Sequence, residues 1–480
     1  MKNFRPVLIF SFCVAFWTFS AFSAGGSVKL KKNIDAILPA GIQAGVIATS
    51  LDSGEVLYEK NPDELLIPAS TNKLFTAFTA MKKLHPSSTF KTSLWGTGPI
   101  RDGKLAGDLY IKGGGDPSLV SERMWMMVNE FLRSGIKVVG GNLIADATYY
   151  DAEKTPESRP KYLKDQAYNA PIGALSFNFN TTTIYVKPNE TVGQPPVVYT
   201  DPSNSYIDIV NQATTGRSGG SNSIVVNRTD FVKGDIGDTV LLRGSIPADH
   251  KEMRFYKNIV NPALYTAHMF KEFLEQRGIK IAGNVSEGKM PSTAKLLLEF
   301  ESLPLWQIIW GMNKFSNNFV ADQIAKKIGA EVWGEPGTLS KGTTAIADTL
   351  EDIGIPKKSY TISDGSGLTR NTRVTARQLH AVLKSAYRDL AFGPEFMASL
   401  GIANEDGTLR HRFANSNGVF SLRAKTGTLD GVSALAGYAQ NADRETMAFV
   451  ILLNDPKGKY GKMSPWADQI VSAILKFSRK

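Results

Sequence analysis

The sequence predicts an α/β (α+β) fold in which one antiparallel sheet lies between helices and two further domains are inserted, one nested inside the other. Three observations carry this reading. An early hairpin and a group of late strands read as one sheet. Ser316 follows Ser70 at a distance of 246 residues, far more than one helical layer needs. That interval also holds a repeated helix–turn–strand unit around a β-rich centre.

The first residues read as a secretory leader: Lys2 and Arg5 are its basic part, Val7 to Trp17 its apolar part, and Ala21-Phe22-Ser23 a small-x-small cleavage site, so residues 1–23 are expected to be a signal peptide. Gly45 to Thr49 and Glu55 to Tyr58 read as strands around the turn Asp52-Ser53-Gly54. Ser70 follows Ile67-Pro68-Ala69 and opens a helix with Leu74, Phe75, Phe78, Met81 and Leu84 on one face, ending at His85-Pro86.

In the insertion, Glu130-Phe131-Leu132 leads to Gly135-Ile136-Lys137 and Gly141-Asn142. Glu272-Phe273-Leu274 leads in the same way to Gly278-Ile279-Lys280 and Gly283-Asn284. Two copies around an intervening stretch predict one domain split by another. Between them Thr183–Val186, Val197–Thr200, Tyr206–Val210, Ser223–Asn227 and Thr239–Leu242 read as strands separated by Gly, Ser, Asn and Pro turns. Helices are expected from Leu305 to Gly329, strands at Ser421–Ala424, Leu435–Ala439 and Met447–Leu453, and a last helix at Trp466–Phe477. The expected boundaries are 24–92 with 298–480 for the sheet-and-helix domain, 93–165 with 252–297 for the first insertion, and 166–251 for the nested β domain.

Three motifs stand in order: Ser70-Thr71-Asn72-Lys73, Ser316-Asn317-Asn318 and Lys425-Thr426-Gly427, followed by Thr428. Singly each is common; S-x-x-K alone recurs at Ser88 to Lys91 and at Ser134 to Lys137. In order and in context they describe a serine acyl-transfer site. A serine at a helix N-terminus has backbone N–H groups beside it, and a lysine three residues on lies one turn along the same face. A strand lysine followed by threonine and glycine suits a carboxylate. Lys425 supplies charge, Thr426 and Thr428 supply hydroxyl donors, and Gly427 lets the substrate backbone approach.

At 480 residues, with 42% apolar and 21% charged residues, the chain has ordinary globular composition, which sets disorder and fibre aside. Its single cysteine, Cys13, lies in the leader, so a mature chain has no disulfide, thiolate metal ligand or cysteine nucleophile. Five histidines and no H-E-x-x-H motif argue against a histidine zinc site, and no metal or cofactor is expected. Loss of the leader lowers the formal charge from +10 to +8. A basic exported protein favours polyanionic surroundings such as cell wall or membrane headgroups, and peripheral association with either is expected. Without a dense Lys/Arg run or a nucleic-acid motif, nucleic acid is not expected as a partner.

The motif set is similar to that of penicillin-binding proteins and class A β-lactamases. Over nearly the whole mature chain the sequence resembles the three-domain D-alanyl-D-alanine carboxypeptidase/endopeptidases, the low-molecular-mass class C penicillin-binding proteins. The resemblance is carried by the three motifs, by Gly107-Asp108-Leu109-Tyr110 to Gly115-Asp116-Pro117-Ser118, by Met312-Asn313-Lys314, by Asp364-Gly365-Ser366-Gly367-Leu368, and by the nested insertion. It implies a β-lactamase/transpeptidase-like catalytic domain and a periplasmic serine DD-peptidase that acts on peptidoglycan stem peptides and cross-links and is acylated by β-lactams.

In that family pattern Ser70 is the nucleophile, and Lys73 is its base, made neutral by burial and by the charge of Lys425. Ser316 with Lys425 relays a proton to the leaving amine, and Asn318 holds the substrate amide. The N–H groups of Ser70 and Thr428 form the oxyanion site, and Lys425, Thr426 and Thr428 bind the terminal carboxylate. Asp146 and Arg370 match positions that shape the stem-peptide pocket, with Asp146 facing an amino group, and Asp430 is a rim candidate. Asp364 to Gly367 reads as a tight turn. Two other readings share the motifs: a β-lactamase, and a non-catalytic penicillin-binding or wall-sensing protein.

Overall fold

In the computed structural model the described residues are 28–157, 159, 164–203, 205–229, 237–414 and 419–479. The leader expected over 1–23 lies outside them. The chain divides into two compact units, one comprising Met1–Thr71, Arg373–Asp389 and Leu400–Lys480, the other Asn72–Thr372 with Leu390–Ser399. The division falls inside the S-x-x-K motif. It groups the Ser70-proximal helix and the helices between Leu305 and Glu351 with the insertion, where the sequence joins them to the sheet.

The first unit is built on a six-stranded antiparallel sheet, in the order Val56–Lys60, Gln43–Ser50, Thr446–Asn454, Val432–Gln440, Arg423–Leu429 and Gly401–Ile402. Its central strands, VSALAGYAQ and TMAFVILLN, are apolar on both faces because both faces are covered. Met447, Phe449, Ile451 and Leu453 pack with Ile470, Val471 and Ile474 of the helix Ser464–Leu475 and with Leu30 and Ile34 of the helix over 28–37. On the other face lies the helix Ala376–Arg388, whose start is a capping box between Thr375 and Gln378. Tyr438 Oη donates to Leu383 O at 2.6 Å and ties that helix to the sheet.

The second unit begins with the helix Lys73–Leu84, which ends at His85 before Pro86. Helices Leu305–Phe315, Asn318–Trp333 and Leu339–Glu351 follow the insertion. The helices expected from Leu305 to Gly329 are two, joined at Ser316, where the backbone turns left-handed with φ 56° and the Ser316 N–H donates back to Met312 O. Asn317 then caps the next helix by accepting from Val320 N.

The insertion carries a five-stranded sheet ordered Val285–Glu287, Leu143–Asp146, Leu109–Gly113, Lys91–Gly96 and Lys295–Glu301. The two repeat copies lie side by side. Val138–Val139 pairs in parallel with Lys280–Ile281, and Leu143–Asp146 with Val285–Glu287. Phe131 and Phe273, from the helices Ser121–Leu132 and Pro262–Gln276, meet in one core. Neither copy buries its apolar face alone, which is the physical reason for duplication. All five strands expected between the copies are present, in two three-stranded sheets, and a two-stranded sheet of Thr214–Gly216 and Ser245–Pro247 joins them around Ile184, Val186, Val226, Val240 and Leu242. Among the described residues no helix is long and apolar enough to cross a membrane.

Candidate functional site

In the first unit, Ser70 lies in a 3-10 turn, Ala69–Asn72, and is half-buried. Ala69 before it has φ 47°, a conformation unfavourable for a residue with a Cβ and held here by its surroundings. Thr71 Oγ1 donates to Pro68 O at 2.7 Å and closes the turn.

The Lys-Thr-Gly motif lies inside the strand Arg423–Leu429 rather than after it, with Lys425 opposite Ala436 and Gly427 opposite Ala434. A Cβ on Gly427 would stand 2.6 Å from Pro68 O and 3.1 Å from Ser70 N. Gly427 therefore gives room to the turn that carries Ser70; the sequence reading has it admitting substrate. Lys425 is buried and donates to Thr426 O at 2.8 Å. Thr426 Oγ1 shares a 2.7 Å hydrogen bond with Thr408 Oγ1, while Thr428 and Asp430 are exposed.

In the second unit, Lys73 is fully buried at the start of its helix. Its Nζ donates to Asn318 Oδ1 at 2.7 Å and to Ser366 O at 2.8 Å. Burial lowers the Lys73 pKa to about 7, against the raising pull of Asp322 and Asp364, and the Arg159 guanidinium, which the sequence reading does not name, adds to the lowering. At neutral pH a large share of Lys73 is thus the free amine, able to accept a proton.

Asn318 spends both ends of its amide: besides accepting from Lys73 it donates from Nδ2 to Tyr168 O at 2.9 Å. Ser316 is half-buried at the helix break. Behind Lys73 the Asp364–Leu368 run is a tight turn, as the sequence suggests, and it also supplies ligands to the helix. Asp364 O accepts from Asn72 Nδ2 at 2.9 Å and Gly365 O from Thr76 Oγ1 at 2.7 Å. Asp364 Oδ1 accepts from Gly367 N at 2.6 Å and shapes the turn.

Asp322, one helical turn after Asn318, is buried, accepts from Gly365 N at 2.9 Å and pairs with the buried Arg159. Burial pushes its carboxyl up to about 6, with Arg159 opposing, so it is ionised above neutral pH. The sequence reading missed both residues. Asp322 carries a signal in the i, i+4 spacing from Asn318; Arg159, in an irregular stretch, carries none.

Asp146 is corrected. Its side chain is buried, not open to a substrate amine. Oδ1 accepts from Thr148 N at 2.9 Å and Thr148 Oγ1 at 2.7 Å, and Oδ2 accepts from Met290 N at 2.8 Å. It holds the end of its strand as a turn aspartate. Arg370 is exposed on the loop after Thr369.

The model of the D-Ala-D-Ala carboxypeptidase 3 (S13) family matches residues 30–470. The chain is 34% identical over 455 residues to a D-alanyl-D-alanine carboxypeptidase of Actinomadura sp., covering 90% of this chain and 82% of that one. It is 27% identical over 419 residues to the D-alanyl-D-alanine carboxypeptidase DacB of Haemophilus influenzae, covering 87% and 86%. The crystal structure of penicillin binding protein 4 (dacB) from Haemophilus influenzae superposes with a TM-score of 0.79 at 25% identity, covering 93% of this chain and 99% of that chain. A second structure of that protein, complexed with a β-lactam, gives a TM-score of 0.74 at 25% identity, covering 92% and 97%. The fold is the nested-domain, transpeptidase-like one.

Proposed function

The chain belongs to the D-Ala-D-Ala carboxypeptidase 3 (S13) family, as a low-molecular-mass class C penicillin-binding protein, and from that premise we propose that it is an exported serine DD-peptidase working through an acyl-enzyme on Ser70. It removes terminal D-Ala from stem peptides and also cuts D-Ala-containing cross-links. The observation that carries the reading is the buried Lys73, held by Asn318 at 2.7 Å and lowered to about 7, three residues after a serine in a strained turn.

Neutral Lys73 takes the Ser70 proton as Oγ attacks the carbonyl of the penultimate D-Ala. The oxyanion sits between the N–H groups of Ser70 and Thr428, and the close passage of Gly427 beside Ser70 N supports that pairing. Ser316, with Lys425, passes a proton to the leaving amine, and water then hydrolyses the ester. Lys425, Thr426 and Thr428 hold the terminal carboxylate. Asn318 fixes Lys73 and faces the substrate amide, and Arg370 lies at the pocket rim. β-Lactams acylate the same serine. The three-domain boundaries read from the sequence are proposed as the family's division of labour, with one catalytic and two accessory parts. Residues 1–23 are proposed as a signal peptide directing the protein to the periplasm.

The test is mass spectrometry of pentapeptide and cross-linked muropeptides after incubation with the mature protein, with Ser70→Ala in parallel. Loss of D-Ala by wild type alone supports the carboxypeptidase, and splitting of dimers supports the endopeptidase. Unchanged muropeptides overturn the reading. Turnover of penicillin within seconds, in place of a lasting adduct on Ser70, would favour a β-lactamase.

A further inference from the structure

A cleft of about 590 Å³ lies wholly within the second unit, inside the range of roughly 300–1,000 Å³ usual for ligand sites. One wall is the outer face of the inserted sheet. Lys91, Ser93 and Trp95 alternate along one strand and so share a face, and Lys112 sits opposite Ser93 on the next strand. The other wall is Tyr149 with Lys327 and Glu331 from the helix Asn318–Trp333. Lys83 and Leu84, which end the helix that begins at Lys73, close one side. A helix of 12 residues is about 18 Å long, so the cleft lies at the far end of that helix from Lys73.

The walls are fixed and positively charged. Trp95 Nε1 donates to Ser93 Oγ at 2.8 Å, which orients a partly exposed indole. Tyr149 Oη donates to Glu331 at 2.6 Å and accepts from Lys327 at 2.9 Å. The only lining carboxylate, Glu331, is neutralised by Lys327 at 2.7 Å. Lys91 pairs with Glu299 at 2.6 Å and Lys83 with Asp352 at 3.6 Å, both at exposed positions. Among the described residues no carboxylate pairs with Lys112.

An apolar ligand would cover an ammonium without satisfying it, and a neutral sugar would leave the Lys112 charge unanswered. A small anion would not use the indole. A flat aromatic beside unsatisfied positive charge, with serine and threonine hydroxyls at the rim, suits a sugar ring that carries an acid. We propose that this cleft binds an anionic polysaccharide, a sugar chain bearing carboxylates or phosphates, and so grips wall polymer at a distance from the peptide being cut. The purpose given to the grip rests on the peptidase reading; the binding itself does not.

The test is calorimetric titration of the mature protein with a hyaluronan octasaccharide, a sugar–phosphate teichoic acid fragment, neutral chitohexaose and inorganic polyphosphate. Binding of either of the first two supports the proposal and identifies the acid. Lys112→Gln should weaken it about fivefold and Trp95→Ala about tenfold. Both variants should keep their melting temperature and release D-Ala from a soluble peptide within about twofold of wild type. Chitohexaose binding as tightly as the acidic sugars, polyphosphate binding as tightly and unaffected by Trp95→Ala, or no binding by either acidic sugar overturns the proposal. Failure of D-Ala release by every form, wild type included, would instead refute the peptidase reading.

Discussion

Ser70 and Lys73 are three residues apart, yet the means that set them differ in kind. Around Ser70 the devices are steric: Ala69 at φ 47°, and a glycine at 427 whose Cβ would stand 2.6 Å from Pro68 O. Around Lys73 they are electrostatic: burial, Asp322, Asp364 and Arg159 set the amine, and Asn318 and Ser366 O aim it. A nucleophile needs a place, which backbone exclusion supplies. A base needs a place and a proton affinity, and the second requires charges held out of water.

The comparison breaks most directly at Lys73. Lys73→Met should cut acylation by β-lactam on the order of 10⁴-fold with secondary structure retained; near-native acylation kinetics in stopped flow would remove Lys73 from the mechanism. On the steric side, Gly427→Val should slow acylation by about 10²- to 10³-fold and cost about 1–3 kcal/mol, because the strand must leave the Ser70 turn. An unchanged rate would show that the close approach has no catalytic consequence.

Acidity sharpens the electrostatic side. In the proposed mechanism the free amine acts, and with the Lys73 pKa at about 7 acylation should fall about tenfold for each pH unit below that value and level off above it. A rate flat from pH 5 to 9 would contradict it. Asp322→Asn removes a charge that raises the Lys73 pKa and leaves Arg159 unopposed, so the acid limb should move to lower pH. Melting should record a loss of about 3–5 kcal/mol for the broken buried pair. A limb that stays in place would assign the tuning to burial alone. The smallest effect is expected at Asp146→Asn: stability drops by about 1–2 kcal/mol as its accepted bonds weaken, while the ratio of D-Ala release from stem peptides with and without a free side-chain amine stays within about twofold. A large change in that ratio would restore Asp146 to the pocket.

Much of the fold was legible because its signals are local. The turn Asp52-Ser53-Gly54 beside the short apolar run Val56-Leu57-Tyr58, the apolar face of Leu74, Phe75, Phe78 and Met81, and the stop at His85-Pro86 each specify a backbone state within a few residues. The repeat was legible for the same reason, and its side-by-side pairing follows from two identical apolar faces needing cover. That Leu305 to Gly329 holds helices was legible, but the place of their junction at Ser316 was not, since nothing in Phe315-Ser316-Asn317 is stronger than the flanking periodicity. Asp146 was misjudged because an aspartate two residues before a threonine fits a pocket and an Asx-type turn equally well.

By itself the sequence determined which residues could do the chemistry and which segments carry them: serine, lysine, amide and glycine in a fixed order, on a helix start, a helical stretch and a strand. Residue type and local periodicity are enough for that, because nucleophilicity and backbone preference belong to single residues and their near neighbours. Only the tertiary structure decided that Lys73 is dry, that Arg159 is a cation acting on it, that Gly427 makes room for Ser70, and that Asp146 is inside. Each of these depends on distance through space and on exclusion of water, which are properties of the packed chain.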